Sequence, residues 1–383
     1  MSSLPLRRAS AIAIACAAAA ALAACSPPAE DSGGGETTSG TGTNAASATS
    51  AQDFGGMDKL VQAAKKEGQL NVIALPPDWA NYGAIIKGFR DTYGIAVNSD
   101  QPDASSADEI TTAQRLKGQS KAPDVFDLGA SVAAANTAMF AAYKVATFDE
   151  IPAALKDPNG TWVNDYGGYM SIGYDADKVP ALTSVEDLLG PEYKGKVALN
   201  GDPTKAGAAF AGVQMVSVSQ GGTVEDISKG VDFFAKLKDA GNFLPVDPTP
   251  ATIESGQTPV VIDWDYLNVA QGVKLRGNIT WETFVPGNAA VGGYYVQAIN
   301  KDAPHPAAAR LWQEYLFSDA GQNLWLEGGA RPVRLDAMTE AGTANGAAAA
   351  KLPKVSGTPV IPTEEQNAKA KDYLAKNWAN AVG

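Results

Sequence analysis

Two stretches of this chain interleave short apolar runs with helix-period segments in the same order, and no other feature of the sequence constrains the fold as strongly. In the first, a helix carrying Leu60, Val61 and Ala64 on one face starts near Met57 and stops at Gly68. It is followed by a strand from Leu70 to Leu75, helices from Tyr82 to Tyr93 and Ser106 to Lys117, a strand from Asp124 to Leu128 and a helix after Ser131. The second stretch has a strand from Lys196 to Leu199, helices from Lys205 to Ser219 and Ile227 to Ala240, and a strand from Pro259 to Asp263. Such alternation predicts an α/β fold with parallel strand pairing in two similar halves.

Two segments are candidates for carrying the chain between those halves: the Tyr- and Gly-rich run from Trp162 to Tyr174, and the run from Thr283 to Ile299. Two crossings make one lobe discontinuous, with residues 57–166 and 296–383 in the first lobe and 167–295 in the second. The apolar helical faces of Leu311, Trp312, Tyr315, Leu316, Leu324 and Trp325, and a last helix near Glu364 to Trp378, are expected to return to the first lobe. No internal sequence repeat is evident.

The N-terminus predicts the compartment. Arg7 and Arg8 precede an uncharged apolar run that ends in Leu22-Ala23-Ala24-Cys25, the pattern of an export signal over residues 1–24 with a lipobox at its end. Cys25 is then the lipidated first residue of the mature chain. Cys16 is removed with the signal, so no disulfide is expected. Residues 25–56 are dominated by Ser, Thr, Gly, Ala and Pro and read as a flexible tether. The formal net charge of −12 makes nucleic acid a poor partner and favours cationic ligands over anionic ones.

Four successive blocks then resemble the bacterial extracellular solute-binding proteins of ABC importers: Tyr193-Lys-Gly-Lys-Val-Ala, Asp202-Pro-Thr, Phe233-Phe-Ala-Lys-Leu-Lys and Glu254-Ser-Gly-Gln-Thr-Pro-Val-Val. The similarity spans residues 57–338 and points to the subgroup of polyamine, ferric-iron and phosphonate receptors. It implies a type II periplasmic-binding-protein-like fold, with two lobes, two hinge crossovers and a ligand cleft that closes on binding. It also implies a binding protein rather than an enzyme, with a small-molecule ligand and a membrane permease as partner; separately, a monomer is expected, with neither cofactor nor metal.

In open α/β lobes, ligands sit beyond the carboxyl ends of the strands. That rule selects Asp78, Trp79 and Asn81 after the first strand, Ser131 after the strand ending at Leu128, Asp202 and Thr204 in the second half, and Asp263, Trp264 and Asp265 after Pro259. Asp165, Tyr294 and Tyr295 come from the crossings, and only one of the two tyrosines can face the cleft, since they alternate on a strand. Ser131, Asp202 and Thr204 also suit simple helix capping. Asp165 also suits a hinge hydrogen bond, the two tryptophans also suit a core, and Asp263 and Asp265, on one face of an extended segment, also suit a structural Lys or Arg partner.

Carboxylates interleaved with aromatic rings are the chemistry for an ammonium on a hydrocarbon stem, by charge pairing and cation-π contact. A polyamine-like cation is therefore the expected ligand. A phosphonate would use Ser131, Thr204, Lys205 and helix amides instead. Ferric-iron receptors of the subgroup offer paired tyrosines and often a histidine; here Asp263-Trp264-Asp265-Tyr266 stands in that place, and the sole histidine, His305, lies between two prolines in an expected surface turn. A secreted carbohydrate-active enzyme using paired carboxylates is the alternative class, but neither a Gly-x-Ser-x-Gly elbow nor a phosphate loop supports catalysis.

Overall fold

Arg310, wholly buried in the body of the protein, reaches out to the start of the chain. Its guanidinium donates to the carbonyls of Ala46 (2.8 Å) and Ala48 (2.7 Å). The computed structural model describes residues 44–383, so the expected export signal, Cys25 and the first part of the tether lie outside the described residues. The rest of the expected tether is not a tether. Residues 44–56 form two single-turn 3-10 helices, Ala45–Ser47 and Ala51–Phe54, with Ala48 and Ala51 buried. Asp53 accepts hydrogen bonds from the Thr49 amide and hydroxyl and from the Ser50 amide, a cap for the second turn. Small residues hid this segment because its order comes from Arg310 and from a few contacts of Ala51 and Phe54 with the core, too few to show a periodic apolar face.

The chain then runs through α1 (Met57–Glu67), β1 (Gln69–Ile73), α2 (Tyr82–Tyr93), β2 (Ala96–Asp100), α3 (Ser106–Arg115), β3 (Val125–Gly129), α4 (Ala130–Ala135) and β4 (Phe140–Ala141). Next come the long strand β5 (Val163–Asp175), then β6 (Val197–Leu199), α5 (Gly207–Ser219), α6 (Ser228–Asp239), α7 (Pro250–Glu254), β7 (Val260–Trp264), α8 (Asp265–Lys274) and β8 (Trp281–Phe284). The last part holds β9 (Gly292–Asn300), α9 (Pro306–Leu316), α10 (Asp319–Glu327), β10 (Arg331–Pro332), α11 (Leu335–Ala341), α12 (Gly346–Ala349) and α13 (Glu364–Val382). Local signals set many of these ends: α3 and α13 begin with capping boxes, Ser105 with Asp108 and Thr363 with Gln366, and α2 stops at Gly94 in the left-handed region.

β5 organises the protein. Its first part pairs antiparallel with β9 and β10, and its second part pairs antiparallel with β7 and β8. The two predicted crossings, on β5 and on β8 to β9, therefore run side by side. β3 and β4 extend one half of this eight-stranded sheet and β6 the other, while β1 and β2 form a separate pair. Parallel pairing was expected throughout, yet only β1 with β2 and β6 with β7 are parallel; β3 to β9 and every partner of β5 are antiparallel. The returning crossing strands impose this, since they must lie against β5 in the opposite direction.

Helix α5 is buried from Ala208 to Ser217, with α6 packed against it and Gly212 facing β6 and β7. A Cβ at Gly212 would stand 2.8 Å from the Leu199 side chain and 3.0 Å from that of Ile262, so only glycine allows this close approach. The last helix was expected on the first lobe. It packs instead on α6, where Trp378 meets the Phe234 ring edge-on at 5.2 Å and Asn367 accepts a hydrogen bond from Gln214.

His305 is not in a surface turn. It is buried, its backbone amide donates to Asp124 Oδ1 (2.7 Å), and its ring bonds Asp124 Oδ2 (2.9 Å) on one side and the Gln69 amide on the other (2.9 Å). The flanking prolines suggested a turn; the buried Asp124 carboxylate draws it inward.

Candidate functional site

The ends of β1 and β2 are strained. Ala74 (φ 55°) and Gln101 (φ 43°) both adopt left-handed backbone without being glycine, at a cost on the order of 1 kcal/mol each. The loops that follow them form one wall of a cleft of about 740 Å³. That wall carries Trp79, Ser105, Glu109, Asp127 and Ser131; the facing wall carries Thr204, Gly207 and Phe210; Tyr295 of β9 also lines the cleft, together with Lys371 of α13.

Charge at this site is one-sided. Glu109 and Asp127 line the cleft, and Asp165 lies behind them, each at least nine-tenths buried. The Asp127 amide donates to Glu109 Oε2 (3.1 Å). Trp79 Nε1 donates to the Tyr166 hydroxyl (2.8 Å), which donates to Asp127 Oδ2 (3.2 Å). Asp127 Oδ1 and Asp165 Oδ2 are buried without a hydrogen-bond partner. Burial pushes the Asp127 carboxyl up to about 7, and it raises Glu109 and Asp165 strongly, helped in both by the nearby Asp127 charge. None of the three pairs with a Lys, Arg or His among the described residues. Burial of such acids without a counter-charge favours their protonated forms.

Aromatic rings surround the acids. Tyr295 stacks on Tyr166 at 5.4 Å and meets Trp79 edge-on at 5.8 Å, while Trp79 also meets Tyr266 at 6.0 Å. Deeper in, Trp264 stacks on Tyr266, and the Trp264 Nε1 and Tyr266 hydroxyl have no partner.

Of the residues expected from sequence, Trp79, Ser131, Thr204 and Tyr295 line the cleft. The others lie elsewhere. Asp78 is exposed and pairs with Lys274 (2.8 Å), and Asn81 donates to the Leu324 carbonyl at the end of α10 (2.7 Å). Asp202 serves its own turn, accepting from the Thr204 amide and hydroxyl and pairing with Lys205; these hydrogen bonds, led by that of the Thr204 hydroxyl, lower its pKa. Asp165 and Asp263 are buried beneath the cleft surface, and burial pushes Asp263 up to about 7. Trp264 is packed in the core, close against Gly293. Tyr294 does not line the cleft, and burial pushes its hydroxyl up to about 12.

Asp263 and Asp265 do not share an extended face, because β7 ends at Trp264 and α8 begins at Asp265. Asp265 is wholly buried in a structural ion pair with Arg331, and its Oδ1 accepts from the amides of Tyr169 and Tyr266 (3.0 Å each). A Cβ at Gly168 would lie 2.3 Å from that Oδ1, which explains a glycine in the crossing strand. Glu109, Asp127 and Lys371 were missed. A signal existed for Asp127 alone: a charged residue inside the apolar strand Val125-Phe126-Asp127-Leu128 is rarely idle.

A two-lobed α/β fold threaded by two crossing strands, with a cleft between facing walls, defines a type II periplasmic binding protein. The chain belongs to the bacterial extracellular solute-binding proteins, whose family model matches residues 120–357. This is a family of binding proteins, not enzymes, and its extracellular character places the chain outside the cytoplasm. Solved structures share the fold. The apo ferric ion-binding protein A of Pasteurella haemolytica is 20% identical with a TM-score of 0.60, the match covering 82% of this chain and 98% of that one. The iron-bound HitA of Pseudomonas aeruginosa is 17% identical at a TM-score of 0.55, over 82% and 99%. AgtB of A. tumefaciens R10, in complex with agropinic acid, is 14% identical at 0.63, over 82% and 98%. No helix among the described residues is long and apolar enough to cross a membrane.

Proposed function

We propose that this protein captures a small organic cation of the polyamine kind, an ammonium on a hydrocarbon stem, and delivers it as a monomer to the permease of an ABC importer. One observation carries the reading: three buried carboxyl groups lie in and behind the cleft, two of them with an unpartnered oxygen, and no basic residue among the described residues pairs with them. An ammonium supplies both the charge and the hydrogen-bond donors that those oxygens lack. Trp79 and Tyr295 offer ring faces for its stem. Ligand contact with both walls would stabilise the closed cleft by hinge motion on the paired crossings.

A thermal-shift panel on the chain from Asn44 onward tests this, because a ligand that binds only the folded state raises its melting temperature. Spermidine and putrescine are expected to raise it, and ferric citrate much less. A shift with ferric citrate alone would replace the cationic reading with the iron chemistry named for the Pasteurella and Pseudomonas relatives.

The lipobox pattern supports Cys25 as the membrane anchor. Cys25→Ser is expected to move the protein from the membrane fraction to the soluble fraction with ligand affinity unchanged. Retention on the membrane would show that something other than Cys25 holds it.

A further inference from the structure

The cleft is acidic at Asp127 and Glu109 but carries an ammonium on its other lining surface. Lys371 projects from α13, beyond the segment matched by the family model, and its Nζ donates to Ser131 Oγ on α4 (2.7 Å). The same Nζ stands 5.4 Å over the ring of Phe210, on the first turn of α5. No carboxylate pairs with Lys371 among the described residues, whereas Lys205 nearby is held by Asp202. The start of α5 is also unmet: its N-cap is Ala206, which offers no capping side chain, and Ala206 and Gly207 line the cleft. An ammonium that pairs with no carboxylate among the described residues, beside a helix N-terminus without a side-chain cap, favours negative charge. Asp103 and Asp372 also line the cleft; Lys371, tied to Ser131 and seated over Phe210, is the lining cation left unpaired.

We propose that the ligand is bipolar, with its ammonium at Asp127 and Glu109 and a carboxylate-type anion at Lys371 and the start of α5, so that Lys371 selects an amino acid-like solute over a diamine. The proposal rests on the cationic reading of the acidic end and adds the chemistry of the other. A second ammonium near Lys371 would be repelled, whereas an anion would gain the charge-assisted hydrogen bonds that Ser131 alone now receives.

Isothermal titration of the mature chain with matched probes tests it: 4-aminobutyrate against putrescine, and 6-aminohexanoate against 1,6-diaminohexane. The ω-amino acids are expected to bind at least about tenfold tighter than their diamines. Lys371→Met, on an exposed side chain, is expected to remove that preference by weakening the ω-amino acids about tenfold while leaving the diamines equal or tighter. Diamines preferred by the unmodified protein, or equal weakening of both series in Lys371→Met, overturn the bipolar ligand and leave the cationic reading standing. Silence from all four probes overturns both.

Discussion

Asp127→Asn is expected to lower affinity for an ammonium ligand about 100-fold, and to leave the unfolding free energy at pH 8 unchanged or higher. The two effects have one cause. Asp127 is buried without a cation, so its charge is a cost to the empty fold and becomes an asset only when a ligand pairs with it. Its carboxyl moves from 3.8 to about 7 on folding, so between those values the folded state holds more protons than the unfolded state. Its contribution to stability is full below about pH 4 and is lost as the pH rises through about 7. Ammonium binding needs the ionised form, so affinity should increase with pH across the same upper limit. The groups around it are Glu109 on α3, Asp165 and Tyr166 on β5, Tyr82 on α2 and Gln297 on β9, none of them basic. Titration in two buffers of different ionisation heat at pH 7 would show protons released on binding, and the Asn variant should show fewer. Affinity that ignores pH, or an Asn variant that binds like the parent, would sink the role of Asp127.

Asp265→Asn should behave in the opposite way. It leaves the partly buried Arg331 beside a neutral amide, costing about 3 kcal/mol of stability, a fall in melting temperature of roughly 6 °C or more. Asp265 does not line the cleft, so ligand affinity of the folded variant should stay within about twofold of the parent. Guanidinium unfolding and titration on the same preparation separate the two quantities. A variant of unchanged stability with weakened ammonium binding would return Asp265 to the ligand, as its place after β7 first suggested.

The sequence announced its regular elements wherever one face is apolar. Tyr82, Ile85, Ile86 and Phe89 mark α2, and Gly94 stops it, so its ends were legible. β2 was not, because four of its five side chains are exposed and only Val97 is partly covered. The site was harder to read, since the rule that ligands lie after strand ends finds loops but cannot tell which side chain turns inward. Trp79 and Tyr295 satisfied it; Asp78 and Asn81, one and two residues from Trp79, were claimed by Lys274 and the end of α10. Glu109 looked like any helix carboxylate until α3 packed against β3, and Lys371 joins the cleft only because α13 packs where no local signal places it.

The docking of residues 44–56 through Arg310 would shorten the leash between receptor and membrane that the proposed lipid at Cys25 provides. Eighteen residues lie between Cys25 and Asn44, and covalent geometry limits their span to roughly 65 Å. With the lipid anchor proposed at Cys25, the receptor would be confined to a half-sphere of that radius, an effective concentration of about 3 mM toward any permease within it. Had the chain been free as far as Met57, the volume would be about fivefold larger. A receptor held this close can dock with only millimolar intrinsic affinity and still spend half its time engaged, and so weak an interface lets it leave again as soon as its cargo is gone.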